Sequence, residues 1–174
     1  VRVVGTNSLR VAKNAAAFLK KAEGALGFPI EIIAGHEEAR LIYLGVAHAL
    51  PASDNNRLVI DIGGGSTEFI IGHQLNPYKL ESLYMGCVSH SLRHFPDSKL
   101  TKNNMKRAEL AAQTEIQSIK SEFSSHYWQE AYGSSGTARA LGRILKLNHF
   151  GDSFSDEEIT LKGLEQFRDY LLKV

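Results

Sequence analysis

The chain has 174 residues, 43% hydrophobic and 22% charged, the composition of one globular domain or a little more. Its net charge of +1 excludes bulk attraction to nucleic acid or to a membrane surface, so any anion site has to be local. The single cysteine, Cys87, excludes an internal disulfide and fits a reducing compartment, and no apolar run approaches membrane-spanning length.

The chain opens abruptly on Val1-Arg2-Val3-Val4, with no initiator methionine or signal peptide, and reads as part of something longer. Residues 2–4 suit a short buried strand. Gly5-Thr6-Asn7-Ser8 follows as a turn, with Asn7 or Ser8 placed to cap a helix. Leu9, Ala12, Ala16, Leu19 and Ala22 then recur at helical spacing, which predicts a helix over 9–25 that Gly27 and Pro29 end. Arg10 falls in its first turn, where the helix dipole disfavours a cation. That position points to a specific anionic partner; the alternative is a solvated surface arginine.

Residues 30–33 read as a second strand. A helix over 35–50 should face the core with Ala39, Ile42, Tyr43, Val46 and Leu50. By spacing alone, Glu37 and Glu38 in its first turn are ordinary helix-dipole decoration. A polar loop, 51–56, leads into the most informative stretch, Arg57 to Gly72.

There, the apolar run Leu58-Val59-Ile60 is interrupted by Asp61. Ile62, Gly63-Gly64-Gly65-Ser66-Thr67-Glu68 and the β-rich run Phe69-Ile70-Ile71 follow. Two buried-strand patterns around glycines predict a hairpin. Three glycines are expected to take positive φ and point successive N–H groups into one anion-binding hollow. Asp61 at the strand end and Glu68 beyond the turn add two carboxylates, which with phosphate suggest Mg²⁺. The plain alternative is a glycine-rich hairpin with an edge acid. A P-loop is excluded because Ser66-Thr67 follows glycine, not lysine, and a Rossmann fingerprint because Glu68 stands where glycine is needed.

Asn76-Pro77 is expected to turn the chain into a third strand, 78–84, giving a mixed α/β sheet with packed helices. His90 and His94 are four apart, but no acid or cysteine nearby completes a metal site. A helix is expected over 101–124, with Ala108, Ala111, Ala112, Ile116 and Ile119 inward, then a short strand over 128–132. Gly133-Ser134-Ser135-Gly136-Thr137 leads into a helix over 138–147 and is either a second phosphate-binding loop or a simple capping loop. Residues 148–154 read as linker, and Thr160 caps a last amphipathic helix over 161–172.

Taken together, VRVVGTNSLR (1–10), GHEEARLI (35–42), VIDIGGGSTE (59–68), MGCV (85–88) and GSSGT (133–137) resemble the exopolyphosphatase / guanosine pentaphosphate phosphatase family, within the actin–Hsp70–sugar kinase superfamily. The resemblance covers most of the chain and thins beyond about Leu147. It implies a ribonuclease H-like fold, a mixed sheet flanked by helices, with residues 1–34 the end of the first actin-like domain and 35–174 most of the second. It implies Glu38 as catalytic base, changing the reading that spacing gave. It implies Arg10, Gly63, Gly64, Gly65 and Ser66 in holding phosphate, and Asp61 and Glu68 in handling Mg²⁺. Gly133, Ser134, Ser135, Gly136 and Thr137 match the loop that holds nucleotide in the kinases. The family's first phosphate loop, of Asp-x-Gly-Ser-Asn type, has no match here. The implied activity is release of orthophosphate from the end of inorganic polyphosphate. Guanosine pentaphosphate is the alternative substrate, and a non-catalytic polyphosphate- or alarmone-binding module the alternative of another class. Asn7 and Gly65 lean toward the polyphosphatase branch. A cytoplasmic location and a homodimer of the full-length protein belong to the same set of expectations.

Overall fold

The computed structural model describes residues 1–151 and 158–173. In chain order the elements are β1 (Val3–Gly5), α1 (Asn7–Val11), α2 (Ala15–Leu26), β2 (Ile30–Ile32), α3 (Gly35–Ala49), β3 (Asn56–Ile62), β4 (Thr67–His73) and β5 (Asn76–Leu83). They continue with α4 (Cys87–His94), α5 (Lys102–Gln117), β6 (Glu130–Ser134), α6 (Ser135–Leu147) and α7 (Leu161–Leu171).

β3, β4 and β5 form an antiparallel meander, and β6 adds parallel to the free side of β3, giving the order β5-β4-β3-β6. This is the ribonuclease H-like arrangement, a mixed sheet flanked by helices. β1 and β2 make a separate parallel pair that carries α1 and α2. No helix among the described residues is long and apolar enough to cross a membrane.

Strand alternation sorts the sheet's side chains onto two faces. Val59 and Ile70 are paired across β3 and β4 and sit, fully buried, under Ala39, Tyr43 and Ala47 of α3. Burying a side chain of that size is worth about 1.5–3 kcal/mol. Tyr43 reaches the sheet because β4 has Gly72 beneath its ring: a Cβ there would stand 2.3 Å from Tyr43 Cζ. On the other face Phe69, Leu83 and Ile119 pack with Ile60, Met85, Ile116 and Phe123.

Several boundaries differ from the sequence reading. The helix expected over 9–25 is two helices: Ala12 is extended and Asn14 precedes the restart at Ala15. Asparagine favours caps over helix interiors. No residue of α2 is buried, and Val4 of the strand expected to be buried is exposed. The turn before β5 falls at Gln74, whose φ is 53°, not at Asn76-Pro77. Pro77 lies within β5, an edge strand, beside a register shift at Ile71/Gly72, where a missing N–H is tolerated. α5 ends at Gln117; Ser118 Oγ donates back to the Glu115 carbonyl and the chain tightens into turns. The β6 strand lies two residues later than expected, and α6 starts three residues earlier. The expected linker, 148–154, lies partly outside the described residues. Thr160 caps α7 as expected, its hydroxyl accepting the Gly163 N–H at 3.1 Å.

Candidate active site

The site grows out of the Val59–Ile70–Leu80 row. Two residues further along the same face, register places Asp61 opposite Glu68, Glu68 opposite Ser82, and Asp61 beside Ser134 of β6. One polar row therefore crosses all four strands just past the apolar one. The first turn of α3 lies over its edge: a Cβ on Gly35 would stand 2.7 Å from Ser82 Oγ.

Glu68 is the most constrained member. It is 1% exposed, and Ser82 Oγ donates to its Oε1 at 2.8 Å. Burial raises its carboxyl above the usual range, the Ser66 and Ser82 hydroxyls pull it back, and the nearby Glu38 and Asp61 charges raise it further. A carboxyl raised in the folded state favours the protonated fold. Its contribution is complete below the ordinary carboxylate value of 4.5 and is lost as pH rises through the raised value. Glu68→Gln should therefore raise the melting temperature of the ligand-free protein near neutral pH and flatten its stability between acidic and neutral pH. Each kcal/mol relieved should read as about 2–4 °C by calorimetry. A lowered melting temperature at pH 7.5 would refute this account of Glu68.

Glu38, on α3, meets Arg10 from α1. Arg10 Nη1 donates to Glu38 Oε2 at 2.9 Å and to the Ile33 carbonyl at 2.7 Å, and both side chains are largely buried. Of the two readings left open for Arg10, the structure supplies the specific anionic partner. Glu37, one residue earlier, turns outward to Arg40, which donates from Nε and Nη2 at 2.7 Å. Adjacent acids of one turn thus face opposite environments.

The hairpin loop is closed by the Gly63 N–H donating to the Ser66 carbonyl at 3.0 Å. None of its three glycines takes positive φ, which corrects the expected left-handed backbone; among the described glycines only Gly27 and Gly151 do so. Glycine is needed instead for close approach. A Cβ on Gly65 would stand 2.3 Å from Asn7 Oδ1. One on Gly86, just before α4, would stand 2.3 Å from Gly64 C and Gly65 N. The loop's carbonyls turn toward α4: Gly63 O accepts the Cys87 N–H, and Gly64 O those of Val88 and Ser89. The Gly64 and Gly65 amides stay outside the backbone hydrogen-bond network of the described residues. Such amides suit an anion.

Gly133 to Thr137 forms the β6–α6 junction beside this loop. The Ser135 and Thr137 hydroxyls donate to the Ile62 carbonyl at 3.2 and 2.8 Å. Those two hydroxyls thereby tie the junction to the end of β3, and Ser135 has a φ of 69°. Gly133 lets α6 close onto the strand, since a Cβ there would meet Ala138 Cβ at 2.8 Å, whereas a Cβ on Gly136 would meet nothing within 4 Å.

The rings of His90 and His94 meet tilted at 53° with centroids 4.4 Å apart, and His90 Nε2 lies 3.0 Å from the Ala108 carbonyl of α5. They pack α4 against α5. A cavity of about 670 Å³ under Leu58, Phe69, Ile119 and Phe123 lies on the sheet's opposite face, and no carboxylate lines it. The acid row and the glycine loop, on chemical grounds, make the better site.

Among the described residues no three His, Cys, Asp or Glu side chains gather closely enough to hold a metal unaided. That rules against a closed structural site of zinc type. Mg²⁺ takes one or two carboxylates and completes its shell with water and substrate phosphate. The cross-strand pair Asp61 and Glu68 fits that donor set.

The sequence reading gave Ser82, Gly86 and Gly35 no role, and Asn7 a capping one and a lean toward one branch of the family, with no contact to the loop. Period-two alternation could have placed Ser82 beside Glu68 once the β4–β5 register was known. The approaches of Gly86 and Asn7 to the loop have no local signal.

A ribonuclease H-like sheet whose strand ends carry a glycine turn and paired acids, with a buried arginine–glutamate pair brought in by α1 and α3, makes a mixed α/β protein with a cluster of acids and free amides at one end of its sheet. The chain belongs to the Ppx/GppA phosphatase family, whose model matches residues 1–174. An exopolyphosphatase-like protein is 28% identical to it, with a TM-score of 0.77, over 83% of this chain and 46% of that one. The Aquifex aeolicus Ppx/GppA family member is 26% identical, with a TM-score of 0.77, over 100% of this chain and 56% of that one. An exopolyphosphatase from Cytophaga hutchinsonii is 25% identical, with a TM-score of 0.67, over 99% and 57%. The chain thus spans about half the length of the solved structures it matches.

Proposed function

We propose that this chain carries the greater part of a phosphoanhydride hydrolase site that releases orthophosphate from the end of inorganic polyphosphate. The observation that carries the reading is the convergence of Glu38, held by Arg10, with the Asp61–Glu68 pair and the glycine loop at one end of the sheet.

Phosphoryl transfer asks a protein mainly to position reactants and to neutralise charge. The Gly64 and Gly65 amides, with Ser66, hold the terminal phosphoryl group, and Gly133 to Thr137 line the adjacent wall. Glu38 takes a proton from a water aligned with the terminal P–O bond. The water oxygen bonds to phosphorus, the bridging P–O bond breaks, and polyphosphate one unit shorter leaves with that electron pair. Arg10 orients Glu38 and stands ready to meet charge on the transferred group. Asp61 and Glu68 would hold Mg²⁺, which when bound neutralises the non-bridging oxygens. A cytoplasmic location fits the free, exposed Cys87, and a homodimer of the longer protein belongs to the same reading.

The test is phosphate release from long-chain polyphosphate with Mg²⁺, on the protein in its longest native form, with guanosine pentaphosphate in a parallel arm. Release from polyphosphate alone or preferentially supports the proposal. Preference for guanosine pentaphosphate moves the substrate to the nucleotide. Silence in both arms, with tight binding retained, makes the protein a sensor and overturns hydrolysis.

A further inference from the structure

The role the sequence suggested for Asn7, capping a helix, is not the one it has. Thr6 is the residue before α1, and no side-chain cap bond forms there. The Thr6 carbonyl accepts the Leu9 and Arg10 N–H groups, both at 3.0 Å. The Asn7 side chain instead reaches 58 positions along the chain to the glycine loop, close enough that Gly65 can bear no Cβ. Asn7 is only 8% exposed, and its Nδ2 is buried with no hydrogen-bond partner.

A buried amide with unmet donors carries a desolvation cost, and natural proteins show few such atoms. This one touches the loop whose Gly64 and Gly65 amides are also free. Residues three apart on a helix share a face. α1 therefore presents two polar side chains to the site from one face, Arg10 to Glu38 and Asn7 to Gly65. One acceptor over the loop could meet the buried Asn7 donor together with the Gly64 and Gly65 amides.

We propose that Asn7 is a phosphoryl-binding residue, its Nδ2 donating to a non-bridging oxygen of the group held over Gly63 to Ser66. The inference rests on the phosphohydrolase reading above and adds a ligand contact to it. A neutral donor fits here: Arg10 already supplies the local cation, and the amide selects an oxygen acceptor without altering the charge balance.

Tripolyphosphate binding by titration calorimetry, with the ligand-free melting temperature measured alongside, tests it on wild type, Asn7→Ala, Asn7→Asp and Gly65→Ala. Loss of one hydrogen bond to a charged group should weaken Asn7→Ala by about 10- to 100-fold. Asn7→Asp keeps the shape, removes the donor and adds repulsion, so it should bind more weakly still. Gly65→Ala displaces the amide, and joined to Asn7→Ala should cost no more than the larger single loss, the mark of a shared interaction. The ligand-free melting temperature of Asn7→Ala should hold or rise, because the unmet donor is gone, whereas Asn7→Asp buries a carboxylate and should melt lower. If wild type binds and both Asn7 variants bind within about twofold of it, the Asn7 contact is overturned while the site reading stands. A lowered melting temperature with affinity intact makes Asn7 a packing residue and overturns it equally. If wild type binds no tripolyphosphate, the phosphohydrolase reading fails and Asn7 fails with it.

Discussion

Glu38→Gln is expected to reduce phosphate release by about 10²- to 10⁴-fold, the range a positioned general base supplies, while leaving polyphosphate affinity nearly unchanged. Glutamine is isosteric and its carbonyl can still accept the Arg10 Nη1–H that Glu38 Oε2 now receives at 2.9 Å. The amide cannot take a proton from water, so kcat should fall and KM should move little. The pairing with Arg10 is largely buried, so the variant also loses an ionic contact. Its ligand-free melting temperature should be read beside its kinetics. Parallel loss of binding and turnover would make Glu38 a partner that holds Arg10 in place. Retained turnover would remove it from the reaction altogether.

Gly86→Ala should disable the glycine loop from outside. The added methyl would stand 2.3 Å from Gly64 C and Gly65 N and 2.5 Å from Gly64 O. All three are backbone atoms of the loop, so no side-chain rotation relieves the contact. Forced overpacking costs about 1–3 kcal/mol. The loop must also move relative to α4, which donates three N–H groups to its carbonyls. Misplacing binding groups by about an ångström can cost 10²-fold in rate. A melting temperature lowered by several degrees and a loss of phosphate release on that scale are therefore expected. Gly24→Ala in α2 is the control, since a Cβ there meets nothing within 4 Å. If Gly86→Ala melts and turns over like wild type, α4 does not seat the loop.

The two variants probe features of different visibility. Glu38 was conspicuous only by resemblance. By spacing it matched Glu37, and the fold separates them, sending one acid to Arg40 at the surface and the other to Arg10 beneath α3. Gly86 was visible as part of a short motif without a stated reason. That reason is a backbone-to-backbone approach, which leaves no trace in periodicity. The glycine triplet was legible as a turn, but none of its members takes positive φ, and at Gly65 glycine serves the contact with Asn7.

Local pattern alone determined the α3 helix, the β3–β4 hairpin around Gly63 to Ser66 and the mixed α/β class. Helical spacing, strand alternation and turn chemistry act over a few residues and are written into adjacent letters. Tertiary structure alone decided three things. One was the register that lines Asp61, Glu68 and Ser82 into one row across the strands. Another was the partner of Arg10, 28 positions away, and the third the seat of Asn7 against Gly65. Each depends on which elements come together and at what offset, and a one-residue slip in the sheet would turn that row to the opposite face.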